Sequence, residues 1–166
     1  TTITLYILVA YMRRNVGSLE AGVKFLILGA ISTGFLVYGI SWIYGATGTT
    51  SLAAIGETMS EENSTYLLFG LALILISLAF KVGAVPMHLW IPDVYQGAPT
   101  PTTAFLSVAS KASGFAVALR VLQPFFENSI TAEKTTFIVA VLAGATILVG
   151  NLAAIPQTNF KRLLAY

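Results

Sequence analysis

Four residues carry protonatable groups where an apolar sequence should have none: Lys24, Lys81, His88 and Lys111. A charge at membrane depth is costly, and such residues are functional by default. Lys81 follows an uncharged run from Tyr66 to Phe80 and precedes Gly83-Ala84-Val85-Pro86. Proline lacks an N–H and clashes with the carbonyl four residues back, so the helix is expected to break beside this lysine. Irregular backbone at that depth is tolerated only inside protein or along a wet cavity, and broken helices there serve as ion sites. His88 lies seven residues beyond Lys81, on the same face if the helix resumes, and histidine is a residue type that can relay protons. Lys111 lies about 12 Å into its helix. Ser107, Ser110, Ser113 and Gly114 surround it, as on the inner face of a bundle. Lys24 lies about 9 Å into its helix, four residues after Glu20, where the two can pair.

Each residue also has a purely structural reading. Lys24 can snorkel to the interface. Lys81 can be the paired lysine of a kink, His88 a packing histidine, and Lys111 a helix–helix contact. A lysine out of water changes charge state readily when a neighbouring carboxylate moves or is protonated. Three lysines and a histidine at similar depth suggest a lateral row of proton sites, with the missing carboxylate supplied from elsewhere. Spacing alone leaves protons and small cations both open.

The elements that position these residues follow from composition. Of 166 residues, 9 are Lys or Arg and 7 are Asp or Glu, while 56% are hydrophobic. That is too little charge for a soluble surface. An all-α, polytopic transmembrane bundle is predicted, with one discontinuous helix around Lys81–Pro86. The approximate spans are 1–12, 18–44, 65–91, 103–122, 135–155 and 157–166, the first and last being truncated, in a single membrane-domain fragment. Ser18 is expected to cap the second segment, and residues 45–64 and 92–102 read as loops. The pairs Arg13/Arg14 and Lys161/Arg162 fall on one side by parity, which the positive-inside rule makes the inner side. The chain has no cysteine and one histidine, so a thiolate cluster is excluded and a multi-histidine metal site is not expected. No basic run exceeds two residues, which argues against nucleic acid as a partner. With no signal-peptide layout and apolar sequence at both ends, it reads as an internal piece of a larger protein.

The run FKVGAVPMHLWIPDVYQGAPTPTTAFLSVASKASGFAVALRVL, from Phe80 to Leu122, resembles the subunit N (subunit 2) family of respiratory complex I, the NADH:quinone oxidoreductase. SLEAGVKFLILGAISTGFLVYGISWIYG and NFKRLLAY extend the likeness to essentially the whole chain. The PDVYQGAPTP segment sets it apart from the related subunits M and L and from Mrp-type antiporters, which usually carry PDAH and EAPT there. The resemblance implies an antiporter-like subunit that moves protons while quinone is reduced elsewhere in the complex. It makes the chain part of an enzyme without giving it redox chemistry. Lys81 then matches the lysine of the broken helix, which pairs with a glutamate expected just before Thr1. Lys111 matches the central lysine, Lys24 the lysine that modulates the pair, and His88 the histidine of the hydrophilic axis.

No cofactor is implied in this chain. FMN, iron–sulfur clusters and quinone are expected in other subunits, and subunit M and the small K/J-type subunits are the expected neighbours. The implied location is a bacterial inner membrane, with the mitochondrial inner membrane and the thylakoid as alternatives. An Mrp-type cation/proton antiporter subunit, a plastoquinone-using cyanobacterial or plastid form, and an inert helical scaffold are the competing readings.

Overall fold

The computed structural model describes residues 2–166, with side chains from residue 3 onward. Thr1, where the first predicted segment begins, lies outside the described residues. These residues form helices and no strand. In order they are α1 (Thr2–Val9), α2 (Val16–Thr47), α3 (Leu52–Thr58), α4 (Ser64–Val82), α5 (Trp90–Gly97), α6 (Thr100–Phe105), α7 (Lys111–Glu127), α8 (Ala132–Ala154) and α9 (Phe160–Leu163). A 3₁₀ turn, Met87–Leu89, leads into α5, and a π-turn, Leu106–Ser110, joins α6 to α7. Four stretches are long and apolar enough to cross a membrane: Val16–Thr47, Ser64–Gly97, Thr100–Glu127 and Ala132–Ala154.

The start of α2 differs from the expected one. Asn15 is the cap, its side-chain oxygen accepting from the Gly17 and Ser18 N–H groups at 2.9 and 3.4 Å. Ser18 instead donates its hydroxyl to the Val9 carbonyl at 2.7 Å, which ties α1 to α2. Asparagine and serine are equally good caps, and the one placed just before the first turn takes the role. At its other end α2 stops on Gly48, whose φ of 69° is the left-handed conformation that suits glycine.

The main packing pair is α2 against α4. Phe25, Gly29, Ser32, Gly39 and Ile43 form a buried stripe at helical spacing along α2. Gly39 and Gly70 let the two backbones approach: a Cβ on Gly39 would stand 2.7 Å from the Gly70 carbonyl oxygen. Close approach through small residues is a general means of membrane helix association. Further along the crossing, the Ser32 and Ser77 hydroxyls meet at 3.0 Å. Beside this crossing sit two apolar clusters. Phe25, Phe80 and Trp90 centre one, with Phe25 and Trp90 stacked at 4.5 Å between centroids. Leu67, Leu71, Leu122 and Phe125 centre the other.

Two predicted loops contain helix. Within 45–64, α3 buries Ile55 against the Leu122–Phe125 cluster, and Asn128 donates its side-chain N–H to the Gly56 carbonyl at 3.2 Å. Within 92–102, only Ala98 and Pro99 separate α5 from α6. Pro92 and Pro101 both stand in the first turn of a helix, where the missing N–H costs no hydrogen bond. The prolines that suggested a loop are therefore compatible with helix starts.

α4 ends at Val82. Gly83 takes φ 89°, and the N–H groups of Gly83 and Ala84 both donate to the Ala79 carbonyl, at 2.7 and 2.8 Å. The Val85–Pro86 bond is cis. The Val85 N–H donates to the Thr146 hydroxyl of α8 at 3.1 Å. That bond satisfies a backbone donor left free by the interruption. The last predicted segment, 157–166, contains the short α9. Asn159 caps it by accepting from the N–H groups of Lys161 and Arg162.

Candidate functional site

Two groups of charged residues bear on the site. The first lies where α2, α5 and α9 meet. Lys24 Nζ stands 2.6 Å from Glu20 Oε1 and 2.8 Å from Asp93 Oδ2. Asp93 Oδ1 accepts from the Arg162 guanidinium at 2.8 Å, and the same guanidinium nitrogen donates to Gln96 Oε1 at 3.0 Å. Lys161 Nζ donates to the Ala98 carbonyl at 3.2 Å. Glu20 therefore pairs with Lys24, as its spacing predicts. Asp93 is the residue that sequence reasoning missed. It gives Lys24 a second carboxylate beside the Glu20 that the sequence predicts. The only cue in the sequence was a lone carboxylate inside the PDVYQG segment; its partners lie 69 positions away on either side.

The second group surrounds the end of α4. Lys81 occupies its last turn and is exposed along this chain. Gly114 of α7 packs beside it: a Cβ there would stand 3.0 Å from Val82 Cγ2 and 3.6 Å from Lys81 Cβ. Lys111 opens α7 directly after the π-turn, and its Nζ reaches back to the interruption. A Cβ on Gly83 would lie 3.8 Å from Lys111 Nζ. The same Nζ stands 5.6 Å from the centroid of the Tyr95 ring, a cation–π contact. Two lysines thus flank the end of α4, one on each helix of a close pair.

Ser107 and Ser113, placed by sequence beside Lys111, spend their hydroxyls on carbonyls of their own helix, those of Ala104 and Ser110. His88 sits in the 3₁₀ turn, its ring centroid 6.1 Å from that of Tyr166. The seven-residue spacing to Lys81 does not define a shared face, because residues 83–86 between them are not helical. His88 Nδ1 is buried and has no hydrogen-bond partner among the described residues. The Lys81 carboxylate partner expected just before Thr1 falls outside the chain. Among the described residues, no three His, Cys, Asp or Glu side chains are grouped so as to hold a metal ion.

Four apolar helices of crossing length in an all-helical bundle define a multi-pass membrane protein. Over residues 1–166 the chain matches the family described as NADH:quinone oxidoreductase/Mrp antiporter, transmembrane, and it belongs to that family. Its curated relatives are subunit N of NADH-quinone oxidoreductase. The one from Desulforamulus reducens is 49% identical over 99% of this chain and 34% of its own length. The chain thus spans about a third of the length of the relatives it matches. Among solved structures, respiratory complex I from Thermus thermophilus with bound aureothin contains a chain of the same fold, at a TM-score of 0.83 and 38% identity. That match covers 99% of this chain and 34% of the other. An archaeal respiratory complex, the membrane-bound sulfane sulfur reductase, contains another, at a TM-score of 0.86 and 36% identity, covering 100% of this chain and 34% of the other.

Proposed function

We propose that this chain is part of a proton-translocating membrane-arm subunit of NADH:quinone oxidoreductase. Quinone reduction takes place in other subunits, which hold the FMN, the iron–sulfur clusters and the quinone. This chain does no redox chemistry. The observation that carries the reading is the position of Lys111. Its amine reaches from the start of α7 to the interruption after α4, beside Gly83 and Tyr95. Lys81 lies on the neighbouring helix.

Protons pass between these lysines through water and His88. Each transfer leaves one lysine neutral and the next charged, so that no two adjacent sites hold charge together at low dielectric. Lys24 modulates the exchange from the inner end through its pairing with Glu20 and Asp93. Subunit M and small K/J-type subunits are the neighbours, and a bacterial inner membrane is the location.

A second reading draws on the likeness to the sulfane sulfur reductase complex. The same fold occurs in a respiratory complex named for another reductase, and the family description itself names Mrp antiporters, so an Mrp-type cation/proton antiporter module is the alternative. Sodium-driven transport without NADH oxidation marks that alternative. The favoured reading predicts that Lys81→Ala or Lys111→Ala, in the full-length protein within its assembly, lowers NADH-driven proton pumping by roughly a hundredfold. Undiminished pumping in Lys111→Ala overturns it.

A further inference from the structure

We propose that Tyr95 is a proton-relay residue beside Lys111, its phenol hydroxyl carrying protons to and from the lysine amine. The inference rests on the proton-transfer reading given above, and deepens it by naming a residue that neither the charge pattern nor the break points to.

Tyr95 lies in α5, two positions after Asp93, and is 2% exposed. Its hydroxyl is buried without a hydrogen-bond partner among the described residues. Proteins seldom leave a buried hydroxyl unpaired, and one that is unpaired calls for an explanation in water or chemistry. The ring is not loosely held. Its backbone carbonyl accepts from the Thr103 hydroxyl at 3.3 Å, and its neighbour Asp93 is clamped by cations from α2 and α9. The side chain packs in the buried cluster with Phe25, Phe80 and Trp90, while its hydroxyl has no partner among the described residues.

Lys111 Nζ sits 5.6 Å from the ring centroid, so the hydroxyl of the same ring is within reach of the amine through bridging water. A phenol hydroxyl both donates and accepts. In the relay, a proton arrives on the phenol oxygen from a water-borne hydronium, which reverts to water. The phenol's original proton leaves toward the neutral Lys111 amine, which becomes ammonium. Tyr95 ends neutral, one proton has advanced, and no charge remains on the ring. The second unpartnered polar atom on the same stretch, His88 Nδ1, is on the 3₁₀ turn that leads into α5. The stretch from His88 to Tyr95 thus carries two spare hydrogen-bonding atoms and ends beside the lysine.

Tyr95→Phe tests this directly, because it keeps the ring and its contact with the ammonium and removes only the hydroxyl. The full-length protein carrying the substitution is assembled in its native complex in sealed membrane vesicles. NADH-driven proton uptake is then measured across pH, in water and in heavy water, beside Lys111→Ala and the parent. The expected result is a loss of about tenfold in pumping for Tyr95→Phe, with an altered pH profile and a changed solvent isotope effect at normal complex content. Parental rate, pH profile and isotope effect in Tyr95→Phe, with pumping abolished in Lys111→Ala, overturn the relay and leave the proposed function standing. Parental pumping in Lys111→Ala overturns both.

Discussion

The ion cluster around Asp93 and the interruption after α4 place lysines in opposite situations. At the cluster every charged group has a polar partner. Lys24 has two carboxylates, and Asp93 offers one oxygen to Lys24 and the other to Arg162. At the interruption polar capacity is left over. Lys111 faces an aromatic ring, His88 Nδ1 and the Tyr95 hydroxyl have no partner, and Lys81 has none among the described residues. A saturated cluster fastens helices. An unsaturated one leaves polar groups with unused hydrogen-bonding capacity, which the proposed proton transfer would draw on. The two are joined covalently by α5, which carries Asp93 at its start and Tyr95 two residues later.

That contrast can be broken by substitution. The largest effect belongs to the interruption: Lys111→Ala is expected to cost roughly a hundredfold in pumping, read as NADH-driven acidification of vesicles. Asp93→Asn, in the saturated cluster, is expected to lower the melting temperature of the detergent-solubilised protein while most pumping survives. Equal losses of pumping in the two would erase the distinction drawn between the sites. Gly83→Val comes next. It forces a branched residue to φ 89° and brings a Cβ onto the Ile91 side chain, a destabilisation of about 1–3 kcal/mol measurable by thermal unfolding in detergent. Thr146→Val strips the Val85 N–H of its acceptor, at about 1–3 kcal/mol, and the check is faster hydrogen exchange at that amide. The smallest effect is that of Glu20→Gln. Lys24 keeps Asp93 and both groups are half exposed, so the melting temperature should not move measurably.

The sequence shows the spans better than it shows the contacts. Long apolar runs place α2, α4, α7 and α8, because hydropathy is a local property. Glu20 and Lys24 were legible as a pair because four residues on a helix bring them together. Asp93 was not, since its partners lie 69 positions away and only the fold unites them. Ser18 was the wrong cap because two good capping residues stand three apart, and tertiary contact with Val9 decides between them. The helices in 92–102 were hidden by prolines that are compatible with first turns. Tyr95 stands in the PDVYQGAPTP segment that the sequence singles out, but an aromatic there has no proton-transfer signature until a lysine is found over it.

The bond from Val85 to Thr146 spans 61 positions of chain. A ribosome releases these residues in order. When Ser64–Val82 first enters the bilayer, the hydroxyl that will satisfy the Val85 amide has not been synthesised. The nascent protein must therefore hold this donor on water or inside the insertion machinery until α8 arrives. The interrupted span is completed only when the helix two crossings later has been inserted. The interrupted span thus closes late, when Thr146 comes to meet the Val85 amide, rather than helix by helix.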